Sequence, residues 1–152
     1  MRPPSIPLTN LPTAKENLAM SNSNYLEQQI LSWITGTDMP AAPTTLYVAI
    51  STAAPAEDGS TIAEPAGADG YARVAVTFGA IQQGTDAATM SNDVDLAFGP
   101  ATGDWGDISH FAVFDAATAG NMIRHAALSA PVTINSGDSA TFSTGALIIS
   151  QG

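Results

Sequence analysis

The sequence contains two histidines, His110 and His125, as candidates for a general base. Nucleophilic catalysis pairs a hydroxyl or thiol with such a base and with a third group that orients the base. No GxSxG motif is present, His110 alternates with apolar residues along 108–114, and His125 follows Arg124. We therefore interpret both histidines as half-buried strand residues and predict that the protein is not an enzyme and has no catalytic residue.

Metal and phosphate sites are also weakly indicated. The chain has no cysteine, and its two histidines are too few for a zinc site at typical ligand spacing. Five aspartates lie close together in the middle of the sequence, without the DxDxDG spacing of a calcium loop: Asp86, Asp93, Asp95, Asp104 and Asp107. We interpret them as solvated loop acids, with an ordered calcium site as the alternative. Phosphate-binding glycine motifs are absent, and we predict no metal and no cofactor.

The charge of the chain restricts its partners. Four Lys and Arg against 14 Asp and Glu give a net charge of -10, which repels nucleic acid and anionic membranes. Only 12% of the residues are charged and 45% are apolar. Such a surface suits a subunit that is covered in an assembly, and an Ala, Thr and Gly-rich monomer is the alternative. No apolar run reaches the ~20 residues that span a bilayer, and we expect no secretory signal.

Residues 1–20 differ from the remainder of the chain. They contain four of the ten prolines and no period of 2 or 3.6, which predicts an extended N-terminal arm. Arg2, Lys15 and Glu16 give this arm a charge of +1, whereas the remainder carries -11. We expect the arm to lie on a partner, with a free tail as the alternative. Its candidate partner-binding residues are Arg2, Ile6, Leu8, Leu11 and Lys15.

Residues 24–35 are predicted to form the one helix. Asn24 is a candidate N-cap, with Glu27 completing a capping box, and Gly36 is a candidate stop. Leu26, Ile30, Trp33 and Ile34 share one face. We expect that face to cover a sheet.

From residue 44 the pattern changes to period 2, with β-branched and aromatic residues between turn signals. Strands are predicted at 45–51, 72–78, 94–98, 108–114, 121–128, 131–135 and 139–149. Residues 115–121 and 135–138 are predicted as turns, so the last strands should pair antiparallel. Residues 52–70 are predicted as a long surface loop, either a contact or passive. The fold class is therefore all-β, an antiparallel β-sandwich of jelly-roll or Ig-like type with a short N-terminal helix, in one domain over 21–152.

Several motifs occur in an order that resembles a family of small acidic tailed-phage structural proteins, labelled tail fibre or capsid decoration (cement) proteins. They are NYLEQQILSWITG (24–36), PTTLYVAIST (43–52), GYARVAVTF (70–78), DWGDISHFAVFDAATAGN (104–121) and SGDSATFSTGALIIS (136–150). The resemblance implies a β-sandwich virion protein without enzymatic activity. We also expect four fold anchors: Trp33, Arg73 and Trp105 within these motifs, and Arg124 between two of them. Gly106 would admit the Trp105 ring, and the arginines would bond to carboxylates within the fold or across an interface.

The first hypothesis is a decoration protein on the outer capsid surface. It would be made in the host cytoplasm, form a homo-oligomer, preferably a trimer, and bridge the major capsid protein by linked contacts. The second is a tail-fibre or receptor-binding module that contacts a host glycan. The number of copies per virion would distinguish them.

Overall fold

A computed structural model describes residues 5–7 and 20–152, and two short elements begin the chain. They are β1 (Ser5–Pro7) and β2 (Ser21–Asn22). The single helix, α1, follows over Asn24–Ile34. The remaining strands are β3 (Leu46–Ser51), β4 (Val74–Val76), β5 (Gln82–Gln83), β6 (Ala88–Ser91), β7 (Leu96–Phe98), β8 (Gly106–Phe114), β9 (Met122–Ile134), β10 (Ser139–Phe142) and β11 (Ile148–Gln151). The chain is therefore all-β with one short helix.

Three sheets build the sandwich. The largest has the order β2-β9-β8-β3-β4, and the two smaller ones have the orders β1-β10-β7 and β11-β6-β5. All pairs are antiparallel except β1 with β10, which is parallel. The main core joins side chains of the large sheet, such as Ile50 and Phe111, with Phe98 and Phe142 of one small sheet and Ile149 of the other. The predicted sandwich class is confirmed.

Both faces of the large sheet carry buried side chains, and β8 contributes to each of them. Ile108 packs in the main core with Phe111 and Val113, whereas Ala112 and Phe114 pack in a second small cluster on the opposite face. The expectation that Ile108 shares a face with His110, Ala112 and Phe114 is therefore wrong for Ile108. A register shift between Ile108 and His110 inserts extra residues and reverses the alternation.

The same bulge explains why two predicted strands are one. Ile108 pairs with Val132, but His110 pairs with Ala127, so residues 128–131 form the bulged segment of β9. Pro131 lies in this segment. Proline has no amide hydrogen for a ladder and is tolerated at bulges, so β9 runs on through residues 129 and 130, which separated the two predicted strands.

The predicted strand 139–149 is two strands in different sheets. β10 pairs with β7 and β11 pairs with β6, and the chain turns between them at 143–147. The turn at 135–138 has Gly137 at φ 92°, as predicted, but β9 and β10 do not pair across it. This turn carries the chain from the large sheet to a small one. The hairpin expected there is wrong, whereas β8 and β9 do pair across 115–121.

The loop at 52–70 covers the outer face of the large sheet. Pro55 is buried, Ile62 packs against the Ala112 and Phe114 cluster, and a hydrogen bond joins the Thr52 amide to the Ala63 carbonyl at 3.0 Å. A short 3-10 turn over Gly67–Asp69 ends the loop. The loop therefore contributes a second layer of packing, and is not solely a passive surface segment.

The N-cap of the helix lies one residue before the predicted cap. The N-cap is Ser23, whose Oγ accepts from the Leu26 amide at 3.2 Å and donates to the Met122 carbonyl. Asn24 is the first helical residue, so its prediction as the cap is wrong. Both residue types are good N-caps, but only Ser23 is placed where its hydroxyl also meets β9. No helix within 20–152 has the length and hydropathy to cross a bilayer.

Candidate interaction surface

Arg73 links the loop at 52–70, which we call the covering loop, to the large sheet. Its guanidinium forms a bidentate ion pair with Glu64, in which Nε donates to Oε1 at 2.9 Å and Nη2 donates to Oε2 at 2.8 Å. The same group lies 3.6 Å from the centroid of the Phe114 ring, and Nη1 donates to the carbonyls of Ala116 and Ala119. The cation is thus fully engaged inside the fold.

Tyr71 extends this network into the core. Its hydroxyl donates to Glu64 Oε1 at 2.7 Å and accepts from the Ile50 amide at 3.2 Å. Burial, together with the adjacent Glu64 carboxylate, holds the pKa of Tyr71 far above its ordinary value of 10.0. The hydroxyl therefore stays protonated and acts as a structural hydrogen bond donor.

Arg124 is also internal, but it does not meet a carboxylate. It is 6% exposed, and its guanidinium donates to the carbonyls of Met20 and Ser150 and to the side-chain oxygen of Gln151. Burial lowers the pKa of Arg124. Within 5–7 and 20–152 no acid pairs with it, so the expected carboxylate partner is wrong for this arginine. Arg124 instead joins the end of β11 to β9.

Trp105 lies in the aromatic core. The ring is 4% exposed, meets Tyr71 edge-on at 5.6 Å between centroids, and donates from Nε1 to the Asp69 carbonyl at 2.9 Å. The close backbone approach occurs at Gly99, where an added Cβ would lie 3.3 Å from the ring. Gly106 has open space around it and a φ of 78°. The expectation that Gly106 admits the Trp105 ring is therefore wrong, and Gly99 is the glycine that the ring approaches.

These placements leave the outside of the described body acidic. Residues 20–152 contain two basic residues other than histidine, Arg73 and Arg124, and both are bonded internally. All the acids except Glu16 belong to the same part of the chain. Its exposed carboxylates therefore have no lysine or arginine neighbour among the described residues.

Each histidine contacts a neighbouring polar side chain. Ser109 Oγ lies 2.8 Å from His110 Nδ1, but its own proton is donated to the Thr52 carbonyl at 2.9 Å. His110 is therefore the donor in the Ser109 contact. Burial and the neighbouring His125 lower the pKa of His110. His125 Nε2 lies 3.2 Å from Glu57 of the covering loop.

The aspartates act as local hydrogen bond acceptors. Asp95 accepts from the Thr144 amide at 2.7 Å, which with the Thr144 hydroxyl lowers the pKa of Asp95. Asp104 accepts from the Ser136 amide at 2.8 Å, and Asp93 and Asp107 accept from the hydroxyls of Thr77 and Thr133. Among the residues that the structure describes, no three His, Cys, Asp or Glu side chains gather as metal ligands.

The exposure of the helix differs most from what the sequence predicted. None of its residues is buried, and Trp33 is 63% exposed, so Trp33 does not act as an anchor of the fold. Its neighbours Leu31 and Ile34 are 63% and 65% exposed, and Met39 beyond the helix is 44% exposed. We call these four residues, Leu31, Trp33, Ile34 and Met39, the helix-end surface. Of the predicted apolar face, Leu26 and Ile30 are half-buried, whereas Trp33 and Ile34 are exposed, so periodicity predicted the face but not that its second half is uncovered.

A groove runs beside this surface. It has a volume of about 600 Å³ and lies between the first turns of α1 and the segment 39–44, with Tyr25, Leu26, Met39 and Leu46 among its lining residues. An adjoining apolar cavity of about 250 Å³ shares Leu26, Leu46 and Ile123 with it. The helix thus rests over a partly open apolar region.

The predicted partner-binding residues of the arm lie almost entirely outside the described residues. This holds for Arg2, Leu8, Leu11 and Lys15. Ile6 belongs to β1, where its backbone pairs with Ala140 of β10. The structure therefore places one short segment of the arm on the edge of a small sheet of the same chain.

Sequence reasoning missed Asn92, a buried polar residue at 1% exposure. Its side-chain amide donates to the Val94 carbonyl at 2.7 Å and the Ser143 carbonyl at 3.0 Å, and accepts from the Leu147 amide at 2.9 Å. It therefore ties the β6-β7 connection to the β10-β11 turn. An asparagine in a polar stretch carries no sequence signal that separates this role from a solvated loop.

Comparison with known proteins gives one family. The family model described as podophage GP4 fiber I protein gp80 matches residues 21–150. This range begins beside α1 and reaches into β11, so it includes the helix-end surface and the whole of the large sheet. No curated protein matches the chain.

Proposed function

Because this chain belongs to the family of the podophage GP4 fiber I protein gp80, we propose that it is a β-sandwich subunit of a virion fibre, acting through contact with other proteins. The family supports a virion structural role. The observation that carries the finer proposal is the helix-end surface, because large apolar patches left open on a small domain mark interaction sites. We also propose that the protein has no enzymatic activity.

Two features of the geometry support a non-catalytic role. Ser109 gives its proton to a backbone carbonyl and not to His110. Every short contact described for Arg73 and Arg124 is to a group of the fold itself. The polar groups that carry chemistry in other proteins are here used to hold loops and strands together.

The proposed partners are other copies of the chain, in a homo-oligomer with a trimer preferred, and neighbouring virion proteins. The family description favours a fibre over the decoration of the head. Decoration, with the major capsid protein as partner, is the rival proposal, and the proline-rich arm with its charge of +1 supports it. Binding of a host glycan would be a more specific form of the fibre role, and the family description does not mention it.

Copy number on purified particles tests the proposal. Quantitative mass spectrometry should find far fewer copies of this protein than of the major capsid protein, because fibres attach at few positions whereas decoration follows the head lattice. A copy number comparable to that of the major capsid protein would support decoration and contradict the fibre.

A deletion of residues 1–19 provides the second arm of this experiment. The fibre proposal expects the heat resistance of the heads to be unchanged by the deletion. Decoration expects less protein on the heads and lower heat resistance, because the arm would carry the capsid contact.

A further inference from the structure

We propose that the helix-end surface is where one copy of this chain packs against another. The inference rests on the proposed function, since it names the surface through which the fibre subunit would associate. It starts from the exposed fractions of 63%, 63%, 65% and 44% for Leu31, Trp33, Ile34 and Met39. Isolated exposed apolar residues are ordinary, but Leu31 and Ile34 are three positions apart and so are neighbours on the helix surface. Trp33 and Met39 are exposed within the same nine positions, which gives this end of the helix an apolar surface.

The helix itself shows that the described residues leave this patch uncovered. An isolated helix of 11 residues is marginal in water, and most helices are stabilised by packing of one face. Yet α1 has no buried residue. Residues 33–45 are exposed without interruption. A covering partner would supply the packing that the rest of the chain does not give.

Charge identifies the partner as another copy. From Gln28 to Ala56 the sequence contains a single charged residue, Asp38, although the whole chain carries -10. The body of a second copy offers no free Lys or Arg, because Arg73 and Arg124 are both internally bonded. Two such acidic bodies repel each other over most of their surfaces. They meet with the fewest like charges around the helix end, where Asp38 is the single acid between Gln28 and Ala56.

A cationic partner would favour a different location. Its lysines or arginines would gain most from the exposed carboxylates elsewhere on the body, such as Asp58 or Asp107, and least from the helix end. The groove of about 600 Å³ beside α1 is lined mainly by apolar and small residues and has Asp115 as its one acid. The surface therefore fits an apolar, uncharged face of the kind that a second copy presents.

Sedimentation velocity of the full chain tests this inference at increasing ionic strength. We expect an oligomer whose dissociation constant falls as salt is added, because salt screens the repulsion between the acidic bodies and leaves apolar packing intact. The double substitution Trp33→Ser with Ile34→Ser should raise the dissociation constant about thirtyfold or more, the effect expected for loss of an interface hot spot. Val94→Ser is the matched control, because Val94 is 50% exposed and lies away from the helix.

Acrylamide quenching provides an independent measurement. Trp33 is 63% exposed and Trp105 is 4% exposed, so the quenchable fluorescence reports on Trp33. Quenching should decrease as the wild-type chain associates. A wild-type chain that stays monomeric in salt, association that weakens with salt, or a double variant that associates as tightly as wild type would each overturn the inference. None of these results changes where the protein is found on the particle, so a failure here is distinguishable from failure of the fibre assignment.

Discussion

A few buried polar residues join the loops and strands of this protein to one another by hydrogen bonds and ion pairs. Arg73 and Glu64 hold the covering loop over Phe114, and Arg124 joins β9 to the carbonyl of Ser150 in β11. The sequence predicted both arginines as fold anchors bonded to carboxylates, because they are the only two in an acidic body. The carboxylate partner is confirmed for Arg73 and wrong within the fold for Arg124, since bonding to carbonyls or to carboxylates depends on how distant segments meet.

The substitution Glu64→Ala should be strongly destabilising. It leaves the Arg73 guanidinium, whose side chain is 7% exposed, without its carboxylate. Loss of one partner of a buried ion pair costs about 3–5 kcal/mol in the free energy of unfolding, measurable by urea denaturation. Glu27→Ala, on the exposed first turn of α1, should change it by less than about 0.5 kcal/mol. Equal effects of the two substitutions would show that the loop is not fastened by this pair.

The stability of the fold should decrease on mild acidification through His110. Its pKa in the folded state is lowered from the ordinary value of 6.5, so the unfolded chain binds the proton more readily. The contribution of neutral His110 is complete well above pH 6.5 and is lost progressively as the pH falls below that value. Thermal unfolding of His110→Gln should show a weaker loss of Tm between neutral pH and pH 5 than wild type. If Tm fell equally with pH in the variant and in wild type, His110 would not be the cause of the loss of stability in acid.

At the scale of elements, periodicity predicted the types better than the partners. The helix was predicted within a residue of its ends, and the strand cores at Leu46–Ser51 and Val74–Val76 fall inside predicted strands. The bulge in β9 and the division of 139–149 were not predictable, because an inserted residue or a change of sheet leaves the local alternation nearly intact. The strands Gln82–Gln83 and Ala88–Ser91 were missed since they are short and lack large β-branched residues.

The start of α1 should depend on Ser23 and not on Asn24. Ser23 Oγ is bonded to both the Leu26 amide and the Met122 carbonyl. Ser23→Ala should therefore lower the free energy of unfolding by about 1–2 kcal/mol. Asn24→Ala should stay within about 0.5 kcal/mol of wild type. The reverse order in denaturant titrations would restore Asn24 as the cap.

The connection between the two small sheets should depend on Asn92. Asn92→Ala removes bonds to the Val94 and Ser143 carbonyls and to the Leu147 amide, and leaves buried polar groups without partners. A loss of about 3 kcal/mol in the free energy of unfolding is expected. Asn135→Ala is the control, because Asn135 is exposed and uses its main-chain amide to contact Asp138. A loss of stability for Asn92→Ala no larger than the control's would refute the role.

For the whole molecule, composition indicated a subunit of an assembly, and the family match places the chain among phage fibre proteins. The expected sandwich is confirmed, because alternation over many short strands reports the fold class directly. The exposure of the helix-end surface was not foreseen. The spacing of Leu26, Ile30, Trp33 and Ile34 shows which side chains share a face, but whether anything in the same chain covers that face is decided by tertiary structure.

Cryo-electron microscopy of intact virions tests the central claim most directly. The account predicts that the fold of residues 20–152 is found in a fibre of the particle, with the helix ends of neighbouring copies in contact. Density for this fold at regular positions over the head lattice, or its absence from purified particles, would contradict the account.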